Sequence, residues 1–285
     1  MRWPCSWILG ALLLTPSGAA MAEELWKTMP EPPAGPDAKD EGAVEVEGAQ
    51  IHYAIYGSGP PVILLHGGFG CGKDWALQIP DLSGRYRVVV PDFRGQGRSG
   101  RGTAPLSYAT LANDTIAVMD KLAIGQAPIV GWSDGAIVGL ELAMHHPERV
   151  SRLFAFGANF DGSSTMPGGA KSSTMKAYFA HAKKRYLELS PAPKDVDKIQ
   201  AALRTMWSKE PRYRPADLAK ITALTWVVDG EHDEIISPAH TKALSKYVKG
   251  SKLVVLPNLS HFALWQDPEF FNATLLEFLT AEAAE

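Results

Sequence analysis

Cysteine is almost absent: the 285-residue chain has two, Cys5 and Cys71. With Cys5 in the expected leader described below, the remaining chain has one unpaired thiol and no internal disulfide. It must then rest on its apolar core, which a chain of this length is large enough to bury. A basic excess is also lacking. Lys and Arg total 28 against 31 Asp and Glu, a formal net charge of -3, so backbone-led nucleic-acid binding is excluded. No apolar run reaches the roughly 20 residues that cross a bilayer. No pair of histidines shows metal-ligand spacing with a third donor, so no metal is expected. Neither an internal repeat nor any pattern specifying an oligomeric state is present.

The chain opens with the marks of an export leader. Met1-Arg2 supplies a positive start, Trp7–Leu14 a short apolar run, and Ala20-Met21-Ala22 the small residues a signal peptidase reads. Residues 1–22 are therefore expected to be a signal peptide cleaved before Glu23, which places the mature protein in the periplasm or outside the cell. Cys5 precedes the apolar run, which argues against a lipid-anchored cysteine. Residues 23–43, rich in Pro, Gly, Ala and charge, read as a flexible arm.

From Val44 the pattern becomes structural. Val44, Val46, Ile51, Tyr53 and Ile55 alternate with polar residues around a turn at Glu47-Gly48-Ala49. Continuous apolar runs follow at 61–65, 87–90, 128–131, 225–228 and 252–256, as strands buried on both faces require. Helical patterns at 108–122, 135–146, 238–248 and 268–279 lie between or after them. This alternation predicts an α/β fold with a mostly parallel sheet flanked by helices over 44–285. It breaks at about 157–216, where two helix-like stretches (172–189 and 194–209) read as a helical cap over the sheet's C-terminal edge.

The chemistry sits at that edge. Gly131-Trp132-Ser133-Asp134-Gly135 lies between an apolar strand and a helical pattern, the context in which G-x-S-x-G turns sharply and lifts a serine above the sheet. A serine hydroxyl needs a base to take its proton. His261, in the loop after the last buried strand, is the candidate. Of the other histidines, His145 and His146 end a helix, His181 lies in the cap, His52 in the first hairpin, and His240 at a helix start. The base in turn needs a carboxylate. Asp233 follows strand 225–228 and Asp161 follows strand 153–156, and the residues alone leave both open. Asp229 is expected to point along its strand, and Glu231 and Glu234 to be solvated.

His66-Gly67-Gly68-Phe69-Gly70 after strand 62–65 offers an amide-exposing loop, so the N–H groups of Gly68 and Asp134 are the expected oxyanion donors. Phe69, Trp132 and Asp134 are candidates for substrate contact. His66 reads as a loop brace and Cys71 as a small packing residue.

Together, His66-Gly67-Gly68, the 92–99 segment Asp-Phe-Arg-Gly-Gln-Gly-Arg-Ser, the Ser133 elbow, Gly230-Glu231-His232-Asp233 and Ser260-His261-Phe262 resemble the α/β-hydrolase family, in its usual order, over roughly 44–279. The resemblance implies a triad of Ser133, His261 and Asp233, because the family's acid usually follows the strand ending at Val228. A serine at the elbow separates the chain from relatives with Asp there, the haloalkane dehalogenases and epoxide hydrolases. It also implies carboxylic-ester cleavage through an acyl-enzyme, without a cofactor. A C–C bond hydrolase or lactonase, a cofactor-free perhydrolase and a non-catalytic binding protein are the rivals. The Gly-Trp-Ser-Asp-Gly elbow is similar to that of valacyclovir hydrolase-like esterases, in which the acid after the nucleophile goes with substrates bearing an amino group. Asp134 is thus expected either to attract a cation or to pair with a nearby Arg or backbone amide.

Overall fold

A computed structural model describes residues 23–164 and 166–282, so the expected signal peptide lies outside the described residues. The elements run β1 (Asp40–Val46), β2 (Ala49–Tyr56), β3 (Pro61–Leu65), α1 (Ile79–Ser83), β4 (Arg87–Pro91), α2 (Tyr108–Lys121), β5 (Ala127–Trp132), α3 (Asp134–His145), β6 (Val150–Phe156), α4 (Ser173–Leu189), α5 (Val196–Trp207), α6 (Pro215–Leu218), β7 (Leu224–Gly230), α7 (Pro238–Tyr247), β8 (Lys252–Leu256), α8 (Ala263–Gln266) and α9 (Pro268–Thr280). Eight strands form one sheet in the order β1-β2-β4-β3-β5-β6-β7-β8, parallel from β4 to β8, with β2 antiparallel to both β1 and β4. Helices flank it, as the alternation of runs predicts.

The central runs are apolar throughout because neither face meets water: Val62, Ile63, Leu64 and Leu65 of β3 are fully buried, as are Leu153, Phe154, Ala155 and Phe156 of β6. The strand order changes direction at β3, so the loops leaving β3 and β5 diverge and open a crevice at their carboxyl ends. The 66–70 loop leaves β3 and the elbow leaves β5. Between β6 and β7 the chain detours through α4, α5 and α6, of which α4 and α5 lie over that crevice.

The segment before Val44 differs from a flexible arm. β1 begins at Asp40, paired with Ile55 of β2, and Leu25–Lys27 form a 3₁₀ turn. Asn258 Nδ2 donates to the Glu23 carbonyl at 2.8 Å and Gln266 Nε2 to the Thr28 carbonyl at 2.9 Å, while the Trp26 ring stacks on His232. Leu25 and Met29 pack against the core. Composition suggested mobility, but two apolar side chains and partners more than 200 residues away supply the anchorage.

Candidate active site

The elbow is strained where its sequence pattern says it should be. Ser133 has φ 55° and ψ -119°, a left-handed conformation that L-residues avoid. Its N–H donates to the Phe156 carbonyl at 2.8 Å, and its carbonyl accepts from Ala136 and Ile137 at 2.9 and 3.0 Å. Both flanking glycines are required by close approach: a Cβ at Gly131 would collide with the Gly135 backbone, and one at Gly135 with the backbone of Leu65. The turn leaves Ser133 half-buried and facing a cavity of about 590 Å³ that His261 also lines.

His261 meets Asp233, and does not meet Asp161. Its Nδ1 donates to Asp233 Oδ2 at 2.6 Å, while the other oxygen of Asp233 accepts from the N–H groups of Ile235 and Ile236 at 2.6 and 2.7 Å. Asp161 stands apart, partly exposed and accepting from the backbone and hydroxyl of Ser163. Burial alone would lower the pKa of His261, but the charge and hydrogen bond of Asp233, aided by Glu234 and Asp134, raise it above the ordinary 6.5. Asp233 is correspondingly held low: burial opposes its charge, and His261 and the backbone donors prevail. Gly157, at φ 64°, makes room for the ring, since a Cβ there would sit 2.8 Å from His261 Cε1.

One acid near His261 does not behave as its sequence context implied. Glu234, expected to be solvated, is half-buried; one oxygen accepts from the His261 backbone N–H at 3.2 Å and the other from the Thr174 hydroxyl of α4. Spacing could not show this, because the partner lies in the cap. Asp229 is buried beside Asp233, accepting from Gly230 N–H at 3.0 Å and from the Thr241 hydroxyl. Burial, then the neighbouring Asp233 charge, pushes its carboxyl well up, opposite in direction to Asp233.

The expected oxyanion donors flank Ser133. Among the described residues, no acceptor takes the N–H of Gly68 or of Asp134, whereas the adjacent Phe69 N–H is held by Gln96 Oε1 at 2.6 Å. Gln96 is a residue the sequence reading assigned no role. His66 is fully buried and braces the loop, its Nδ1 donating to the Gly67 carbonyl at 2.7 Å and its Nε2 accepting from Phe93 N–H at 3.0 Å. Cys71 is buried, and burial pushes its thiol well above the ordinary range, as for a packing residue.

Asp134 pairs with neither an Arg nor a backbone amide. Its Oδ1 accepts from the Tyr108 hydroxyl at 2.9 Å and its Oδ2 from Trp207 Nε1 at 2.8 Å. Burial raises its pKa to about 6 against the pull of those two donors and of His261. Phe69 and Trp132 both line the cavity, although each is almost wholly buried. Trp132 also fixes the base loop, its Nε1 donating to the His261 carbonyl at 2.8 Å. Met175, Phe179, Leu203 and Ile236 add apolar wall, and Arg204 and Glu210 add charge. Among the described residues, no group of three His, Cys, Asp or Glu side chains is placed to hold a metal ion, and no helix is long and apolar enough to cross a membrane.

The alpha/beta hydrolase fold family matches residues 60–214, more than half of the chain, and the protein belongs to that family. The protein named "Putative carbamate hydrolase RutD" of Azorhizobium caulinodans is 39% identical over 105 residues, 37% of this chain; the aligned part spans about two-fifths of that relative's length, at 40%. Its namesake in Caulobacter sp. is 29% identical over 82% of this chain and 96% of its own. A pimeloyl-acyl-carrier-protein methyl ester esterase of Aeromonas hydrophila is 27% identical over 79% and 97%. Among solved structures, a hydrolase from Pseudomonas aeruginosa superposes with a TM-score of 0.68 at 25% identity, covering 86% of this chain and all of that one.

Proposed function

We propose that the protein is a serine hydrolase that cleaves carboxylic esters of small or medium acyl groups through an acyl-enzyme. The observation that carries this is the facing of a strained Ser133 and an Asp233-bound His261 across one apolar cavity. With Nδ1–H committed to Asp233, the basic lone pair of His261 is on Nε2. Ser133 Oγ attacks the ester carbonyl while its proton passes to Nε2, and the carbonyl oxygen becomes an oxyanion held by the N–H groups of Gly68 and Asp134. As the tetrahedral adduct collapses, the C–O bond to the alcohol breaks and Nε2 gives that oxygen the proton. Water then repeats the cycle: it gives a proton to Nε2, attacks the acyl carbon, and releases the acid as Ser133 Oγ takes the proton back.

The cavity volume lies within the usual small-molecule range of about 300–1,000 Å³. The relatives are named for esters and carbamates, both of which present a carbonyl to the same nucleophile. Asp134, with a donor on each oxygen and a pKa near neutrality, is read here as a brace and not as an anchor for an amine. Export through the leader at 1–22 belongs to the same proposal, and N-terminal sequencing of protein recovered outside the cytoplasm should begin at Glu23.

A fluorophosphonate probe should label Ser133, and a panel of p-nitrophenyl esters, a lactone and a carbamate should be turned over with the esters preferred. Ser133→Ala should lose labelling and about 10³-fold or more of the turnover. An unlabelled wild-type protein, or ester turnover that survives in Ser133→Ala, would refute the proposal.

A further inference from the structure

We infer that the cap is a working part of the oxyanion hole: Tyr178 of α4 and Trp207 of α5 are positioning residues that set its two N–H donors. The inference rests on the hydrolase reading above. Gly68 and Asp134 belong to different pieces of the fold, one in the loop after β3 and one at the start of α3, and each is tied to a different cap helix. The Tyr178 hydroxyl donates to the Gly68 carbonyl at 2.8 Å, across 110 residues of chain. Trp207 Nε1 donates to the Asp134 carboxylate at 2.8 Å, across 73.

The two attachments meet. A Cβ added to Gly68 would lie 2.5 Å from Asp134 Oδ2 and 2.6 Å from Trp207 Cζ2, so loop, elbow residue and cap ring are packed into one contact. A third bond joins cap to machinery, from Thr174 of α4 to Glu234, which holds the His261 backbone. On the core side, Asp134 has only Tyr108 as a side-chain donor, and the Gly68 peptide is followed by Phe69 at φ 63°, an unfavourable conformation for a residue with a side chain. Gln96 and His66 hold the loop from the core side, and Tyr178 ties the same peptide to the cap.

An oxyanion hole tolerates displacements of about 0.5 Å or less, because its donors stabilise charge that develops only in the transition state. Loosening the cap should therefore reduce kcat, even for a substrate too small to touch the cap. A cap that merely walls the cavity would instead change KM for long acyl chains.

The test uses the full protein and p-nitrophenyl acetate. Tyr178→Phe removes one oxygen and keeps the ring; Trp207→Phe removes the indole donor. Each should lower kcat about tenfold with KM within about twofold, and weaken a trifluoromethyl ketone that forms a tetrahedral adduct on Ser133 by a similar factor. Thermal unfolding identifies a variant that fails to fold; should Trp207→Phe fail, Tyr178→Phe with the ketone affinity carries the test. Unchanged kcat and unchanged ketone affinity in Tyr178→Phe, or a rise in KM alone, would overturn the inference while a labelled wild-type Ser133 leaves the hydrolase reading standing. An unlabelled wild type would overturn that reading first.

Discussion

Asp74 gives the most quantitative prediction. It lies four residues beyond Gly70, 2% exposed, with Oδ2 accepting from Cys71 N–H at 2.9 Å. Its carboxyl is raised from 3.8 to about 7: burial drives the rise, Asp92 adds to it, and the Cys71 N–H and the charge of Arg185 only partly oppose it. The folded protein therefore keeps this proton over a range in which the unfolded chain has lost it. Stability from this group is fully present below the ordinary carboxyl value and is lost as pH rises through about 7. Roughly three pH units separate the two values. At about 1.4 kcal/mol each, ionising Asp74 in the folded state costs on the order of 4 kcal/mol at about pH 8.

Asp74→Asn removes that cost while leaving an oxygen for the Cys71 N–H. The variant should match wild type near pH 4 and exceed it near pH 8 by up to about 4 kcal/mol, several degrees in Tm for a domain of this size. Thermal or urea unfolding of both proteins across that range is the assay. A stability difference that does not vary with pH, or a variant less stable than wild type at the alkaline end, would refute the reasoning.

Two further predictions concern the base. His261 must be neutral to accept a proton and its pKa is raised, so kcat/KM for an ester should fall on the acid side with a midpoint above 6.5; a pH profile with its midpoint at or below that value would contradict the assigned ion pair. Asp233→Asn should cost on the order of 10⁴-fold in kcat, since the wrong tautomer of His261 is then favoured. Asp161→Asn, altering an exposed carboxylate bonded to Ser163, should leave kcat within about twofold, and steady-state kinetics of the two variants decides between them.

How much of this was legible in the sequence depended on how far apart the interacting residues lie. Ser133 was legible because its strain is local: five residues and the glycines at either end dictate the turn. α2, α3, α7 and α9 were legible to within a residue or two at each end because the 3.6-residue period and the Ser, Asp and Pro at their starts are also local. The choice between Asp233 and Asp161 was not local. Each follows a neighbouring strand on the same edge, and only the packed structure shows which carboxylate reaches a ring 28 residues from Asp233. Glu234, Tyr178 and Trp207 were out of reach for the same reason, since no pattern within α4 or α5 marks which side chain will turn toward the elbow. The contacts of residues 23–29 were not legible because composition reports average polarity, while two apolar residues and distant partners hold this stretch.

The boundaries of the family match sharpen where the weight of the site falls. The match ends at residue 214, so it includes Ser133, the Gly68 loop and most of the cap but neither Asp233 nor His261. Those two rest on their own geometry, a 2.6 Å bond between fully buried groups in which every oxygen of the acid has a donor. Burying such a pair carries a desolvation cost that an apolar pair of the same shape would avoid, and the fold keeps it nonetheless. A second buried acid lies beside it: burial and the Asp233 charge raise Asp229, while contact with His261 lowers Asp233. Asp134, next to Ser133, is likewise buried at a cost and held by one donor from the core and one from the cap. Asp134 and His261, the partner of Asp233, both line the cavity that Ser133 faces, so the two buried acids bear on one cavity.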